Sequence, residues 1–148
     1  MKAIIIGGGI GGLTAAIALR RRGIDVDVYE QAPALAEVGA GISLWANALK
    51  ALASLGLENE LKAISNESTA FSLRRWNGDL ISTIPGHKLK QRFGAAVTVV
   101  HRAELLDILL RTFPNNHLHL GKTCTGVEQQ TDRVTAHFAS GDSAVPSG

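Results

Sequence analysis

The feature that most constrains the fold is a cluster of glycines between a short strand and a helix. A mainly apolar run at residues 2–6 leads into Gly7, Gly9 and Gly12, which have the spacing G-x-G-x-x-G, and a stretch with helical preference follows from Ile10 to Arg22. The first glycine permits a tight turn, the second lets the backbone approach a pyrophosphate, and the third lets the helix pack closely on the sheet. The segment therefore predicts strand, glycine turn and helix.

A second strand completes a βαβ unit. Gly23 is expected to end the helix, and residues 24–30 alternate apolar and polar side chains up to Glu30, eighteen residues after Gly12. A carboxylate at this position accepts hydrogen bonds from adenosine ribose hydroxyls; the alternative is a solvated strand end. No basic residue directly follows Glu30, which disfavours a 2′-phosphorylated nucleotide such as NADP. The motif predicts a dinucleotide site but does not separate FAD from NAD.

The rest of the chain predicts an antiparallel insert and a return to the first sheet, which makes the fold class α/β. Two strand-like runs flank Asn77-Gly78, the strongest short-range signal for a hairpin. The polar segment 86–94 is interpreted as a solvated loop, with attraction of an anionic ligand as the alternative. The other expected elements are a loop at 31–38, helices at 44–55, 57–64 and 102–113, strands at 96–100 and 117–120, and a hairpin formed by 122–130 and 133–139.

Composition excludes several classes of protein. Fifteen Lys and Arg against thirteen Asp and Glu give a net charge of +2, too small for a nucleic-acid footprint, so no nucleic-acid partner is expected. The first apolar run is too short for a signal sequence or a membrane span. The single cysteine, Cys124, cannot form an internal disulfide, which agrees with a cytoplasmic location.

Other catalytic or metal-binding patterns are weak. His117 and His119 share one strand face, but no carboxylate or cysteine is spaced to complete a metal site, so they are interpreted as surface histidines and no metal is expected. Trp45, Phe71 and Trp76 are too few for a base-stacking platform and are interpreted as core or pocket residues. No residue is nominated as catalytic.

Four segments resemble one enzyme family over nearly the whole chain. They are KAIIIGGGIGGLTAAIALRRRGIDVDVYEQ at 2–31, VGAGISLWANALKALASLGL at 38–57, VVHRAELLDILL at 99–110 and LGKTCTGVEQ at 120–129. Together they resemble the N-terminal portion of the class A FAD-dependent monooxygenases, the group of para-hydroxybenzoate and salicylate hydroxylases. The Gly-Ala-Gly-Ile and His-Arg-x-x-Leu segments are more specific than the glycine motif.

The resemblance implies further contacts to FAD. It assigns Gly11 to the pyrophosphate, Glu30 and Gln31 to the adenosine end, Ser43 and Arg102 to the cofactor, and the backbone of Cys124 to the adenine. Alternatively, Ser43 caps the following helix, Arg102 is a first-turn surface residue, and Cys124 is a small core filler.

The resemblance also implies an activity and a domain arrangement. Residues 1–66 and 95–148 would form an incomplete FAD-binding domain with a Rossmann-type parallel sheet, and 67–94 an antiparallel insert from a substrate domain. Relatives hydroxylate or epoxidise a small aromatic or isoprenoid substrate with dioxygen and with NAD(P)H as a transient reductant. Family members are much longer, so the missing C-terminal part is an expected partner and the 148-residue chain alone is expected to be inactive. The alternatives are a fragment of an NAD-dependent dehydrogenase and a non-catalytic nucleotide-binding module or half of a split flavoprotein.

Overall fold

A computed structural model describes residues 1–35 and 40–145. Within these residues a short 3-10 helix spans Asn115–His117. The helices and strands, in chain order, are β1 (Lys2–Ile6), α1 (Ile10–Arg20), β2 (Asp25–Tyr29), β3 (Gly41–Leu44), α2 (Ala46–Ser54), α3 (Glu58–Ile64), β4 (Asn66–Glu67), β5 (Ala70–Arg74), β6 (Leu80–Pro85), α4 (Gly86–Phe93), β7 (Thr98–His101), α5 (Arg102–Thr112), β8 (Leu118–His119), β9 (Cys124–Gln129), β10 (Val134–Phe138) and β11 (Ser143–Ala144).

The chain divides into two compact units. The first comprises Met1–Val38 and Leu106–Gly148, and the second comprises Gly39–Leu105. The resemblance divides the chain differently, into an FAD-binding domain at 1–66 and 95–148 and an insert at 67–94. That division stays a prediction. Of the loop predicted at 31–38, residues 36–38 lie outside the described part of the chain, as does Gly39 at the start of the Gly-Ala-Gly-Ile segment.

The first unit contains the predicted Rossmann-type parallel sheet. Strand β2 lies in the middle and pairs in parallel with both β1 and β8. Val26 and Val28 of β2 are fully buried, as are Leu13 and Ala16 of α1. Strands β9, β10 and β11 form a separate antiparallel sheet in the same unit. The predicted α/β class and the βαβ unit are therefore confirmed.

The second unit contains an antiparallel sheet with the order β3-β7-β4 and the separate hairpin β5–β6. The hairpin turns at Asn77-Gly78, where Gly78 has a φ of +94°, so the hairpin prediction is confirmed. Trp76, which we expected in a core or pocket, is 99% exposed beside this turn, so that interpretation is wrong for it. The ring of Trp45 instead contacts that of Phe71, edge to face, at 5.6 Å.

The segment predicted as a solvated loop at 86–94 is a helix. Pro85 precedes α4, and Gly94 ends it in the left-handed conformation with a φ of +84°. Leu89 is buried in its middle, and Gly86 at its start lies so close to the carbonyl of Ser68 that a Cβ would be 2.5 Å from that oxygen. Pro before the first turn and Gly after the last are helix boundary signals that outweigh the polar composition.

No helix in the described part of the chain is both long and apolar enough to cross a bilayer.

The helix predicted from residue 102 is confirmed, and Pro114 lies just beyond its end. Asp107 and Arg111, one helical turn apart, form an ion pair with 2.5 Å between the carboxylate and guanidinium atoms.

A cluster of charged side chains lies on the polar face of the parallel sheet. Asp27 of β2 is buried, and its carboxylate accepts hydrogen bonds from Lys2 Nζ at 2.7 Å and His117 Nδ1 at 2.8 Å. His119 Nε2 lies 3.5 Å from the same carboxylate, and Asp25 lies 3.8 Å from His117. Asp27 of β2 therefore connects β1 with the segment that leads into β8, far away in sequence.

Burial opposes ionisation of Asp27, but the hydrogen bonds from Lys2 and His117 outweigh it and hold the pKa of the Asp27 carboxyl below its usual value. The hydrogen bond to Asp27 in turn raises the pKa of the Lys2 ammonium. A carboxyl whose pKa is lower in the folded chain adds stability above its unfolded pKa, about 3.9, and loses that contribution as the pH falls through the folded value.

We expect Asp27→Asn to lower the free energy of unfolding at pH 7 by about 1.5–3 kcal/mol, the range for hydrogen bonds to a charged group. The difference from the unchanged chain should begin to shrink below about pH 4, where the carboxyl becomes protonated in the unfolded chain, and should be lost as the pH falls through the lower pKa of the folded chain. Urea unfolding followed by circular dichroism at pH 7 and pH 2.5 measures both quantities.

The matched control is Asp25→Asn on the same strand. Asp25 is half exposed and pairs with Arg20 at 3.0 Å, so its loss should cost less than about 1 kcal/mol. An equal effect from both variants, or a difference for Asp27→Asn that is as large at pH 2.5 as at pH 7, would contradict the role given to Asp27.

Candidate nucleotide-binding site

The glycine turn joins β1 to α1 through two positions that require glycine. Gly7 has a φ of +108°, and its amide donates to the carbonyl of Tyr29 at 2.7 Å. A Cβ on Gly12 would lie 1.9 Å from the carbonyl oxygen of Gly7, so any larger residue would displace the helix from the turn. The predicted tight turn and close packing of the helix are both present.

The N-terminus of α1 is free of side-chain caps. Gly9 is the N-cap residue, it makes no side-chain cap, and the first turn contains no acidic residue. Gly11 lies in this first turn, and a Cβ at Gly9 or Gly11 would meet nothing within 4 Å. The first amides of a helix lack intrahelical partners and carry a partial positive charge, which attracts phosphate.

Glu30 follows β2 and contacts this turn directly. Its carboxylate accepts a hydrogen bond from the amide of Gly8 at 2.7 Å and one from the amide of Ala32 at 2.8 Å. The alternative of a solvated strand end is therefore wrong. Each carboxylate oxygen has a second lone pair, so Glu30 can hold the turn and still accept a hydroxyl of a ligand.

A cavity of about 230 Å³ lies beside Glu30. Its lining brings together four of the predicted site residues, Gly7, Glu30, Gln31 and Cys124, although Cys124 is 94 positions beyond Glu30. Three lining residues were not anticipated from the sequence: Ile6, Tyr29 and Lys122.

The backbone explains why Lys122 lies in this cavity. Its amide donates to the carbonyl of Glu30 at 2.8 Å, and the amide of Gly121 donates to Ala32 at 3.0 Å, which fixes the segment after β8 against the end of β2. The ammonium of Lys122 pairs with Asp142. No local sequence pattern predicts that Lys122 lines the cavity, because its position depends on the pairing of β2 with β8.

Tyr29 forms a rigid wall of the cavity. Its ring stacks between those of His119 and Phe138, with centroid distances of 4.5 and 4.6 Å. Burial and the nearby Asp27 carboxylate raise the pKa of Tyr29, so its hydroxyl remains protonated at neutral pH. Contacts on both ring faces leave only the edge of Tyr29 available to a ligand.

Cys124 begins β9 and is half buried. Its Sγ lies 3.5 Å from the carbonyl oxygen of Gly126. Its position beside the cavity agrees with the backbone contact expected from the resemblance.

Ser43 and Arg102 lie in the second unit. Ser43 is in β3, opposite Val99, and the next helix begins only at Ala46, so the alternative that Ser43 caps that helix is wrong. Arg102 begins α5, and its amide donates to the carbonyl of Ala40 at 3.0 Å. Their contacts to a cofactor stay predictions.

In the described ranges, no group of three His, Cys, Asp or Glu side chains is placed to bind a metal ion. No carboxylate is spaced along the chain to join His117 and His119 in a metal site, whereas the fold places Asp27 beside both. Because Lys2 also pairs with Asp27, this cluster is an ion-pair network.

The first segment of the chain matches a known domain family. Residues 5–36 match the NAD(P)-binding Rossmann-like domain. This match covers the glycine turn, α1, β2 and Glu30.

Longer relatives match almost the whole chain. The 3-amino-4-hydroxybenzoate 2-monooxygenase of Streptomyces cremeus is 38% identical over 97% of this chain and 37% of its own length. The FAD-dependent urate hydroxylase of Klebsiella pneumoniae is 38% identical over 97% of this chain and 38% of its own. The chain thus spans little more than a third of the length of these curated relatives.

Solved structures give the same result. Klebsiella pneumoniae HpxO, in a crystal structure complexed with FAD and uric acid, superposes with a TM-score of 0.85 at 37% identity, over 99% of this chain and 37% of HpxO. Sequence and structure agree on the segment matched and on the cofactor of the relatives. The chain is therefore a homologue of the N-terminal portion of the FAD-dependent aromatic monooxygenases.

Proposed function

We propose that this chain binds the ADP part of FAD and that the protein it represents is a flavin-dependent monooxygenase acting on a small aromatic substrate. The observation that carries the proposal is the cavity beside Glu30, which adjoins the glycine turn and contains Gly7, Glu30, Gln31 and Cys124. FAD-dependent homologues support the choice of cofactor.

The residues present fit an adenine dinucleotide. The glycine turn leaves no side chain between a pyrophosphate and the first amides of α1, and the helix supplies a partial positive charge there. Glu30 accepts ribose hydroxyls, while Gln31 and the backbone of Cys124 border the adenosine end. FAD, when bound, supplies the redox chemistry, with NAD(P)H as a transient reductant and dioxygen as the source of oxygen.

A dehydrogenase that binds NAD through the same turn is the rival function. The match to an NAD(P)-binding domain is compatible with it, but it covers only residues 5–36, whereas a monooxygenase relative matches over 146 residues. A 2′-phosphate remains disfavoured: Lys122 lines the cavity, but Asp142 already pairs with its ammonium.

The relatives favour an aromatic over an isoprenoid substrate, because one acts on 3-amino-4-hydroxybenzoate and another on urate. No residue of this chain is proposed as catalytic; its residues bind and orient the cofactor. We propose that the two thirds of the relatives' length that this chain does not cover supply the groups around the flavin ring and the substrate.

A cytoplasmic location stays a proposal, supported by the single cysteine.

We also propose that residues 67–94 belong to a substrate domain. The support is the hairpin β5–β6, in which Phe71, Leu73, Leu80 and Ile84 are 40–55% exposed. A two-stranded sheet is marginally stable by itself and needs further strands or a packed face. The exposed apolar side chains therefore fit a hairpin that a larger domain covers.

We expect Glu30→Gln to weaken ADP binding by about 1.5–3 kcal/mol, because the amide cannot match a carboxylate as acceptor of ribose hydroxyls. Isothermal titration calorimetry with ADP measures the affinity of the adenosine part without the flavin. Thermal unfolding of the same variant reports separately on the loss of the hydrogen bonds to Gly8 and Ala32.

The matched control is Glu128→Gln on β9, an exposed carboxylate of the same unit that does not line the cavity. It should leave ADP affinity unchanged. A folded Glu30→Gln variant that loses thermal stability but keeps its ADP affinity would show that Glu30 only holds the turn.

We expect the 148-residue chain by itself to hydroxylate nothing. Productive oxygen transfer needs a closed, water-poor pocket around the flavin, and these residues account only for the ADP part of the cofactor. The assay adds FAD, NAD(P)H and candidate aromatic acids to the purified chain and compares product formed with NAD(P)H consumed. Coupled hydroxylation at enzyme-like turnover would contradict the proposal, whereas slow NAD(P)H oxidation without product agrees with it.

A further inference from the structure

A larger cavity, of about 460 Å³, lies entirely within the second unit. Its apolar lining comes from α2, α3 and the segment before β7: Leu49, Ala53, Leu61, Ala95 and Ala96. Small-molecule sites are of this size, about 300–1,000 Å³, and combine a mainly apolar lining with a few polar groups. None of its lining residues belongs to the nucleotide site.

Three lysines and two glutamates also line this cavity, and each glutamate pairs with one of the lysines. Lys62 pairs with Glu58 at 2.8 Å, and Lys90 pairs with Glu67 at 3.2 Å. Lys50 forms no ion pair with any carboxylate in residues 1–35 and 40–145. The cavity therefore carries one unbalanced positive charge.

The side chain of Lys50 lies beside the end of α4. Its Cε and Nζ lie 3.5 Å from the place a Cβ would occupy on Gly94, the residue that ends this helix. The carboxyl end of a helix carries a partial negative charge, which holds an ammonium nearby without the full charge of a carboxylate. Lys50 is thus positioned at the cavity and remains able to pair with an anion.

We propose that this cavity binds a small organic monoanion with one carboxylate and a short apolar body, the carboxylate on Lys50 and the apolar body against Leu49, Ala53 and Leu61. One unbalanced ammonium matches a single negative charge, whereas a polyphosphate would require several cations. A divalent cation is disfavoured at this place because the net charge of the lining is positive. The site is independent of the proposed FAD-binding function.

The experiment uses the 148-residue chain labelled with ¹⁵N and ¹³C, and sodium hexanoate as the probe. We expect saturable chemical-shift changes confined to the residues of this cavity. Hexan-1-ol, with the same apolar body and no charge, should bind roughly fivefold more weakly, since an exposed ion pair contributes up to about 1 kcal/mol.

Three variants test the assignment. Lys50→Gln should weaken hexanoate binding roughly fivefold and leave hexan-1-ol binding unchanged. Lys88→Gln, on the exposed surface of α4 and outside the cavity lining, is the matched control and should change neither. Ala53→Leu fills the cavity without changing its charge and should abolish binding of both probes.

The proposal is overturned if hexanoate causes no saturable shifts at Leu49, Ala53 and Leu61, or if hexan-1-ol binds as tightly as hexanoate. It is also overturned if Lys88→Gln weakens binding as much as Lys50→Gln. Because ADP binding is measured at other residues, failure of this proposal and failure of the FAD-binding proposal are distinguishable.

Discussion

The close approach of α1 to the glycine turn is the constraint on which the first unit depends. A Cβ at Gly12 would overlap the carbonyl oxygen of Gly7, so the helix reaches its position only with a bare backbone there. That position brings Leu13 and Ala16 into the buried core and leaves the first amides of the helix uncapped. The same packing therefore stabilises the sheet and creates the polar end at which a pyrophosphate binds.

Strand β2 carries both the core and the site. Val26 and Val28 are buried, while Asp27 and Tyr29 alternate with them and organise the polar face through Lys2, His117 and the stacked rings. Glu30 continues the chain and fixes the turn through the amides of Gly8 and Ala32. The carboxylate proposed to accept the ribose is consequently already oriented before a nucleotide arrives, which lowers the entropic cost of binding.

Prediction from the sequence succeeded where a local signal was decisive and failed where two signals conflicted. Asn77-Gly78 fixed the hairpin, and Pro114 marked the end of the last helix. The polar composition of residues 86–94 predicts a loop, yet Pro85 and Gly94 bound a helix that buries Leu89. No local pattern predicts strand β3, because its four residues precede a long helical pattern and acquire strand structure by pairing with β7.

Local sequence specifies the glycine turn, the βαβ unit and the acidic residue after β2, because each depends on neighbours within about thirty positions and on backbone freedom that only glycine provides. Which distant residues share a cavity depends instead on how the chain packs in three dimensions. Pairing of β2 with β8 brings Lys122 and Cys124 to Glu30 and places His117 on Asp27. The packing of α2, α3 and α4 likewise places Lys50 at an apolar cavity. Such contacts follow from strand order and helix packing, which the spacing of residues along the chain does not encode.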